Sequence, residues 1–511
     1  MKINEFVKLI LKVNKKITED QIRNIEGIIK VSKEFHKKAE TYDYVAELFD
    51  NDVNENTIVL EAAHQPNFVP YSGVWRKAYL LHFFYNEMPN SIPLFGFFDY
   101  NLATASLLTH NKIPDIRKEG FTVIGVRIPE KDKWKRFNSL PKPSKNAWEN
   151  VIRTIENVYI KVLSRNKDAR LNLDLIIEEL WKSYELGNSL SEINAIFFSR
   201  LTNIYLGLKV LFFKYSNLHD LGVLKDAFER VIYRRDEFNN IYNETVVSKG
   251  LSDVGTIPDN LAPFWYHCKC GGKVDVFIKN SKLNGVCPIC KTEYELDVGD
   301  IDSYYVNISP RAVTRNIVMA DGIGTRLYIS GAGGGLRYGI IANEISRRLG
   351  FNLPFTLAWV GKDHYLGLTH TLMLKRLRKM LGISDADLLN LEKVLDRIRT
   401  KRIELKNKID KNYSKKLIHD YKHTYAQILI ACNVFKVTPS VIDIFLSKGF
   451  SKVLKCWNFA VHSAEISFED EFYILRKNIV YDDRAIAIYD VMNAISIKNK
   501  EIDPLGILGG E

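Results

Sequence analysis

Four cysteines fall between positions 268 and 290, as Cys268-Lys-Cys270-Gly-Gly and Cys287-Pro-Ile-Cys290. Two short loops that each present two thiolates match the tetrahedral, sulfur-preferring coordination of Zn²⁺. Gly271, Gly272, Gly285 and Pro288 let the two knuckles turn. The stretch from 273 to 282 alternates enough for a short hairpin between them. The pattern predicts a zinc ribbon with Cys268, Cys270, Cys287 and Cys290 as metal ligands. The first knuckle is Cys-x-Cys, not Cys-x-x-Cys, so His267 is an alternative to one of its thiols. Disulfide pairing is the competing reading, and the absence of a secretion signal argues against it. So small a unit reads as a substrate-holding or structural insert, not as the seat of the chemistry.

Three other clusters offer chemistry. The first is His64-Gln65-Pro66-Asn67 with Pro70-Tyr71-Ser72-Gly73. It follows a β-branched run, 57–62, and precedes a helix-like stretch, 74–85. Ligands of open α/β sheets sit beyond the carboxyl ends of strands, where this loop falls. His64, Asn67 and Ser72 can donate hydrogen bonds to phosphate oxygens. The helix start at Gly73 adds a partial positive charge and Lys77 a full one. A proline-stiffened structural loop is the alternative. The second cluster is Asp99 with Asn101, after a strand-like run at 92–98. An acidic group there suits a ribose hydroxyl, or else caps a helix. The third is Ser330-Gly-Ala-Gly-Gly-Gly-Leu-Arg337. Gly331, Gly333 and Gly334 allow close backbone approach to an anion, and Arg337 can pair with it. No Gly-Lys-Ser/Thr follows, so this is not a Walker loop. Arg311 and Arg315, four apart, offer a carboxylate or phosphate clamp, or lie on the surface. Asp363-His364 offers an acid–base pair or a structural loop. No Ser-His-Asp order, glycosidase carboxylate pair or His-Glu-x-x-His motif stands out.

These groups need a frame. The chain has 511 residues, 46% apolar and 26% charged, which is an ordinary globular balance with room for about three domains. Its net charge of +11 permits a nucleotide, an acidic metabolite or RNA as partner. The lysines are spread through helical Lys/Glu mixtures, which favours a solvated surface over a dedicated nucleic-acid face. No apolar run reaches the roughly 18 residues that span a bilayer, so no membrane partner is expected. Met1-Lys-Ile-Asn-Glu-Phe lacks a signal pattern, and the expected compartment is the cytoplasm. Cys432 and Cys456 read as reduced core thiols.

The pattern divides the chain into five stretches. Residues 1–55 read as an N-terminal helical segment, opened by a capping box at Thr18-Glu-Asp-Gln21. Residues 56–260 read as the first part of a parallel α/β core with a helical insert, and strands are expected at 57–62, 92–98 and 121–128. The ribbon takes 261–300. A second part of the core takes 301–375, with a helix at 309–319, a strand at 325–330, a helix at 336–349 and a strand at 353–360. Residues 376–511 read as a helical or coiled-coil region. There Leu388, Leu391, Leu395, Ile398, Leu405 and Ile409 keep heptad spacing, and Leu417, Tyr421 and Ile428 continue it on a second helix. A homodimer through 384–430 is one use of that seam, and an ordinary bundle face is the other.

The order of elements over 57–360 resembles BshC, the cysteine-adding enzyme family of bacillithiol biosynthesis. His64-Gln65 through Gly73 falls where that family has its Gln-rich loop. Ile92 to Asn101 is similar to its second strand, with Asp99 at the acidic position. Phe198 to Tyr215 resembles its helix leading into a strand. Ile308-Ser309-Pro310 and Tyr328 to Tyr338 resemble its Ser-Pro and glycine-rich segments. The family's Gly-Pro-Gly-Glu is Gly-Ala-Gly-Gly-Gly here, its second-strand acidic motif is reduced to Asp99-Tyr-Asn, and the ribbon is an addition. The segment Gln65-Pro-Asn-Phe-Val-Pro-Tyr-Ser-Gly73 also resembles the opening motif of WbqC-like proteins. Both resemblances imply a Rossmann-like, nucleotidyltransferase-type sheet, related in plan to class I aminoacyl-tRNA synthetases. They imply a ligase or transferase that joins an amino acid, such as cysteine, to an amino-sugar or similar acceptor, with ATP as activator. His64, Asn67 and Asp99 would be the catalytic set. Ser72, Gly73, Lys77, Gly331, Gly333, Gly334 and Arg337 would hold the cofactor or acceptor. A synthetase-like RNA- or tRNA-binding module without catalysis, and a WbqC-like sugar-modifying transferase, are the alternatives.

Overall fold

The computed structural model describes residues 1–13, 15–163, 166–412 and 414–498. The tail from 499 onward, part of the expected C-terminal helical region, lies outside the described residues. The fold is mixed α/β, built on a seven-stranded, mostly parallel sheet. Its strands are β1 (Ile58–His64), β2 (Ser91–Phe97), β3 (Leu211–Lys214), β4 (Leu327–Ser330), β5 (Phe355–Val360), β6 (Glu465–Glu469) and β7 (Phe472–Arg476). They lie in the order β6-β7-β5-β4-β1-β2-β3. Every neighbouring pair is parallel except β6–β7. From β1 the chain runs out to β2 and β3 on one side and returns to β4 on the other. The loops after β1 and β4 therefore leave the same edge in opposite directions.

Helices cover both faces, which is why the central strands are apolar on both sides. Val59, Leu60, Ala62 and Leu327 are fully buried. The helix Ser72–Glu87 is enclosed almost all round, with Trp75, Ala78, Leu81 and Phe84 buried among the side chains of one face. The opposite face carries Ala312–Gly322 and Gly334–Leu349, whose Ile317, Ile341 and Ile345 pack with Val59 and Ala63. The capping box at Thr18 forms as its sequence requires and starts the helix Glu19–Lys38.

Two expected features of the core differ. The run 121–128 is not a third core strand. Phe121–Gly125 pairs antiparallel with His110–Pro114 in a separate two-stranded sheet, because a tight return at 115–120 leaves no length for a crossover. The C-terminal region is not all helix, since β6 and β7 complete the central sheet. The helical hairpin does form, as Leu391–Lys411 and Lys415–Lys436. Leu395, Ile398 and Leu405 share a core with Tyr421 and Ile428, and also with Met373, Leu377, Ile488 and Met492 from flanking helices of this chain. No single helix among the described residues is long and apolar enough to cross a membrane.

The four cysteines sit in a five-stranded antiparallel sheet, in the order Ile308–Pro310, Leu261–His267, Lys273–Lys279, Lys282–Val286 and Glu293–Asp297. The segment before it also grips this sheet, with the Arg136 amide donating to the Gly271 carbonyl at 2.8 Å.

Candidate functional site

The two knuckles bring four sulfurs together. Cys268 follows the strand Leu261–His267 and Cys287 follows Lys282–Val286, so the strand pairing sets both at one end of the small sheet. The Sγ atoms of Cys268, Cys270, Cys287 and Cys290 all lie within 4.8 Å of one another. Cys268 and Cys290 are 3.4 Å apart, and Cys270 and Cys287 3.5 Å. A disulfide requires about 2.05 Å. A tetrahedron with Zn–S bonds of about 2.3 Å places its sulfurs about 3.8 Å apart. The group is therefore able to hold a metal such as zinc. Gly271 turns the first knuckle at φ +94°, a conformation L side chains rarely adopt. A Cβ on Gly272 would stand 2.9 Å from the Cys287 sulfur, so glycine is required there by space. Burial pushes the Cys270 thiol up to about 12, while the hydroxyl and amide of Thr292 draw Cys290 down to about 6. His267 stands outside the group, with Nε2 2.8 Å from Ser309 Oγ.

The second site lies beyond the carboxyl ends of β1, β4, β5 and β7, where a cavity of about 1050 Å³ opens. Its wall includes His64 from the end of β1, Tyr71, Gly73, Arg76 and Lys77 from the following helix, and Gly331 after β4. Trp359, Lys362 and His364 come from the end of β5, and Arg476 and Lys477 from the end of β7. Five of the lining side chains are lysine or arginine and one, Asp490, is a carboxylate. Arg76 lies 3.8 Å from the Asp363 carboxylate and Arg476 pairs with Glu469, so the positive charge left to the cavity is that of Lys77, Lys362 and Lys477.

Burial tunes the groups in this wall. His64 Nδ1 lies 2.9 Å from the Gln65 carbonyl oxygen, which can only accept. The proton therefore sits on Nδ1, and Nε2 keeps its lone pair. Burial, aided by the Lys77 charge, lowers the His64 pKa to about 3, so the ring is neutral at physiological pH. Lys77 Nζ donates to the Ala63 carbonyl at 2.9 Å. Burial, then the nearby Arg315 charge, lowers Lys77 to about 7. It therefore exchanges a proton near neutrality, as acid–base groups must. Arg76 lies 5.2 Å from the Trp359 ring centre and donates from both terminal nitrogens to the Gly361 carbonyl, at 3.2 and 3.1 Å. Asp363 accepts from Ser72 Oγ and, at 3.0 Å, from Tyr481 Oη. That network holds the helix start against the β5 loop. Both ring nitrogens of His364 are buried without a partner.

The structure brings His64, Gly73, Lys77 and Gly331 to one wall, and joins Ser72 to it through Asp363. It does not bring the other sequence-derived residues there. Asp99 is fully buried and accepts from the Ser216 amide at 3.1 Å and its hydroxyl at 2.5 Å. The expectation that it faces a ligand is corrected, since its carboxylate is spent on the chain segment after β3. Asn67 is buried, with Oδ1 unpartnered. Gly333 caps and Gly334 begins the helix Gly334–Leu349, beyond the wall. Arg337 is exposed and pairs with Asp253.

No model of a known protein family and no curated protein matches the chain.

Sequence reasoning misses Arg76, Lys362, Arg476 and Lys477. Arg76 stands next to Lys77 and is within reach of the same argument. Arg476 and Lys477 are not, because the pattern over the C-terminal region reads as helix where β7 forms.

Proposed function

We propose that this chain is an enzyme acting on a phosphate-bearing small molecule held at the carboxyl edge of its parallel sheet. The observation that carries this reading is the charge of the wall, where Lys362 and Lys477 have no ion-pair partner among the described residues and Lys77 stands between them and β1, placed where the loops after β1 and β4 diverge. The order β3-β2-β1-β4-β5 is that of doubly wound, Rossmann-like sheets, which take ligands at this switch point. It supports the nucleotidyltransferase-type plan and ATP as activator. On that reading the chain is a BshC-like ligase or transferase that joins an amino acid, such as cysteine, to an amino-sugar or similar acceptor.

The side chains suit transfer of a phosphoryl or adenylyl group from ATP to the substrate carboxylate, with release of ADP or pyrophosphate, and then attack of an amine on the acyl carbon, which breaks the acyl–oxygen bond and expels phosphate or AMP. Lys362 and Lys477 would neutralise phosphate oxygens, while Arg76 braces the β5 loop behind them. The amides at the start of Ser72–Glu87 would add donors. Lys77, near pH 7, would take the proton released as the acceptor amine attacks, and neutral His64 Nε2 would accept a hydrogen bond from the substrate. Zn²⁺ in the four-cysteine group would have four protein ligands and no open position, which fits a structural role.

Two other readings each have an observation behind them. The WbqC-like segment supplies Tyr71 and Gly73 to the cavity wall, which suits a sugar-modifying transferase. Trp134 is 59% exposed beside Arg127 and Lys133 in a second cavity of about 710 Å³, which suits stacking of an RNA base. A homodimer through 384–430 would use the outer face of the hairpin, where Ile403 is exposed. A thermal-shift screen with ATP, amino acids, sugar phosphates and short RNA separates these readings. Stabilisation by ATP together with an amino acid supports the ligase. Stabilisation by RNA alone supports the binding module.

A further inference from the structure

Past β5 the cavity is walled by a different kind of surface. There the chain forms a short parallel ladder, with Asp363 beside Ile479 and His364 beside Val480. Alternate residues of a strand face opposite ways. Lys362, His364, Asn478 and Val480 therefore line the cavity, while Ile479 is fully buried and Asp363 is bound to Ser72 and Tyr481 behind them. Asp363 and His364, adjacent in sequence, thus serve different sides of the ladder. The helix Ala485–Ile497 closes this part of the cavity. Its Ile488, Val491, Met492 and Ile495 pack into the hairpin core. Its other face sets Ile486 and Asp490, four residues apart, in the cavity wall.

Two polar groups here lack partners. Asp490 is the one carboxylate among the residues that line the cavity, and it forms no ion pair or hydrogen bond among the described residues. Both ring nitrogens of His364 are shut from solvent without a partner. That ring lies edge-on to Tyr489, with 5.7 Å between centres, beside the turn that carries Asp490. Burial lowers the His364 pKa while Asp363 and Asp490 oppose the shift, so the ring is neutral at physiological pH and keeps a lone pair. An unsatisfied imidazole is costly, and a ligand that donates to it removes the cost. Val480 and Ile486, 37% and 40% exposed, add apolar surface to the same part of the wall. A primary ammonium carries one positive charge and three donors, enough for a carboxylate oxygen and an imidazole nitrogen together. A hard divalent cation needs more oxygen ligands than one carboxylate gives.

We propose that Asp490 and His364 form a subsite for a primary ammonium group of the substrate, with Val480 and Ile486 packing the hydrocarbon that bears it. The inference rests on the cavity being the substrate site. It adds what the lysines of the wall do not supply, a means of choosing an amine over an alcohol of the same shape. One cavity then holds both ends of its ligand, the anionic part at Lys362 and Lys477 and the cationic part at Asp490.

The test compares two probes of one shape, isobutylamine hydrochloride and isobutanol, by saturation-transfer NMR on the full chain at neutral pH. Wild-type protein should bind the amine at least about fivefold more tightly than the alcohol, as expected for one charge-assisted contact. Asp490 is exposed, so Asp490→Asn should fold, and it should bring the two probes to within about twofold. His364→Phe, which keeps a ring and removes its nitrogens, should weaken the amine more than the alcohol. Wild-type protein that binds neither probe or both alike, or a preference kept in Asp490→Asn, would overturn the subsite. A preference kept in His364→Phe would remove that ring from it. ATP titrated into the same wild-type sample reads the phosphate end separately. Amine preference without ATP binding would keep the subsite and reject ATP, and ATP binding without amine preference would do the reverse.

Discussion

Lys77 Nζ lies 2.9 Å from the carbonyl oxygen of Ala63, so the helix after β1 reaches back to the end of the strand it left. This contact fixes an ammonium at the switch point of the sheet with no carboxylate beside it. A Cβ on Gly331, across the switch, would stand 3.6 Å from the same nitrogen. The first strand loop and the glycine loop therefore close on one lysine.

The titration of Lys77 gives a pH signature. Its folded pKa is about 7, against 10.5 for the free side chain. Between these values the unfolded chain binds the extra proton, so this group makes stability rise with pH from about 7 to 10.5. Below 7 both states are protonated and it contributes no slope. Lys77→Met should flatten the rise by at most about 1.4 kcal/mol per pH unit, measured by urea unfolding across that window. Anion binding should run the other way and weaken as pH climbs through 7. A variant with the wild-type slope would show that Lys77 is not the buried titrating group.

The four-cysteine group should set one metal ion per chain. Purified protein should contain about one equivalent of zinc, and Cys287→Ser with Cys290→Ser should lose it. Loss should unfold the knuckles locally, with hydrogen exchange speeding up over 268–272 and 287–292, while Val274 and Leu283 stay in the core they share with Phe264 and Ile308. A double variant that keeps its full zinc content would contradict the assignment.

Asp99 and His64 should behave differently. Removing the Asp99 carboxylate strands the Ser216 amide and hydroxyl, so Asp99→Ala should cost about 2–4 kcal/mol in denaturant unfolding. Its ligand affinity should stay within about twofold of wild type. His64→Ala should lower affinity with a smaller loss of stability, because His64 is only half-buried and lines the cavity.

Leu395 is 1% exposed within the core that joins the hairpin to its flanking helices. Leu395→Asp should destabilise the chain by about 3–5 kcal/mol, through lost packing and a buried carboxylate. Light scattering on the wild-type protein reports separately whether the hairpin also pairs two copies. An unchanged unfolding midpoint would show that the seam is not packed within the chain.

The sequence makes some of this legible and hides the rest for identifiable reasons. The cysteine spacing carries the metal-binding group because thiol pairs on knuckles are nearly self-describing. β1, β2, β4 and β5 are legible as short apolar runs ended by polar loops. β6 and β7 are not. Their hairpin turns on Asp470 and Glu471, both at positive φ, where Asn-Gly is the usual signal. Missing those strands also loses Arg476 and Lys477 from the cavity wall. Asp99 looks like a ligand because it ends a strand, but the partner that occupies it, Ser216, is remote in sequence. His64 and Lys77 are within reach because one loop and one helix turn hold both.

The most direct measurement is calorimetric titration of ATP into wild-type protein and into Lys77→Met at pH 6.5, where the wild-type lysine is largely charged. Wild type should bind, and Lys77→Met should bind at least about tenfold more weakly while unfolding cooperatively, as expected for loss of one charge-assisted contact. Wild-type protein that takes up no ATP, or a Lys77→Met variant that binds it as wild type does, would contradict a nucleotide site at the switch point.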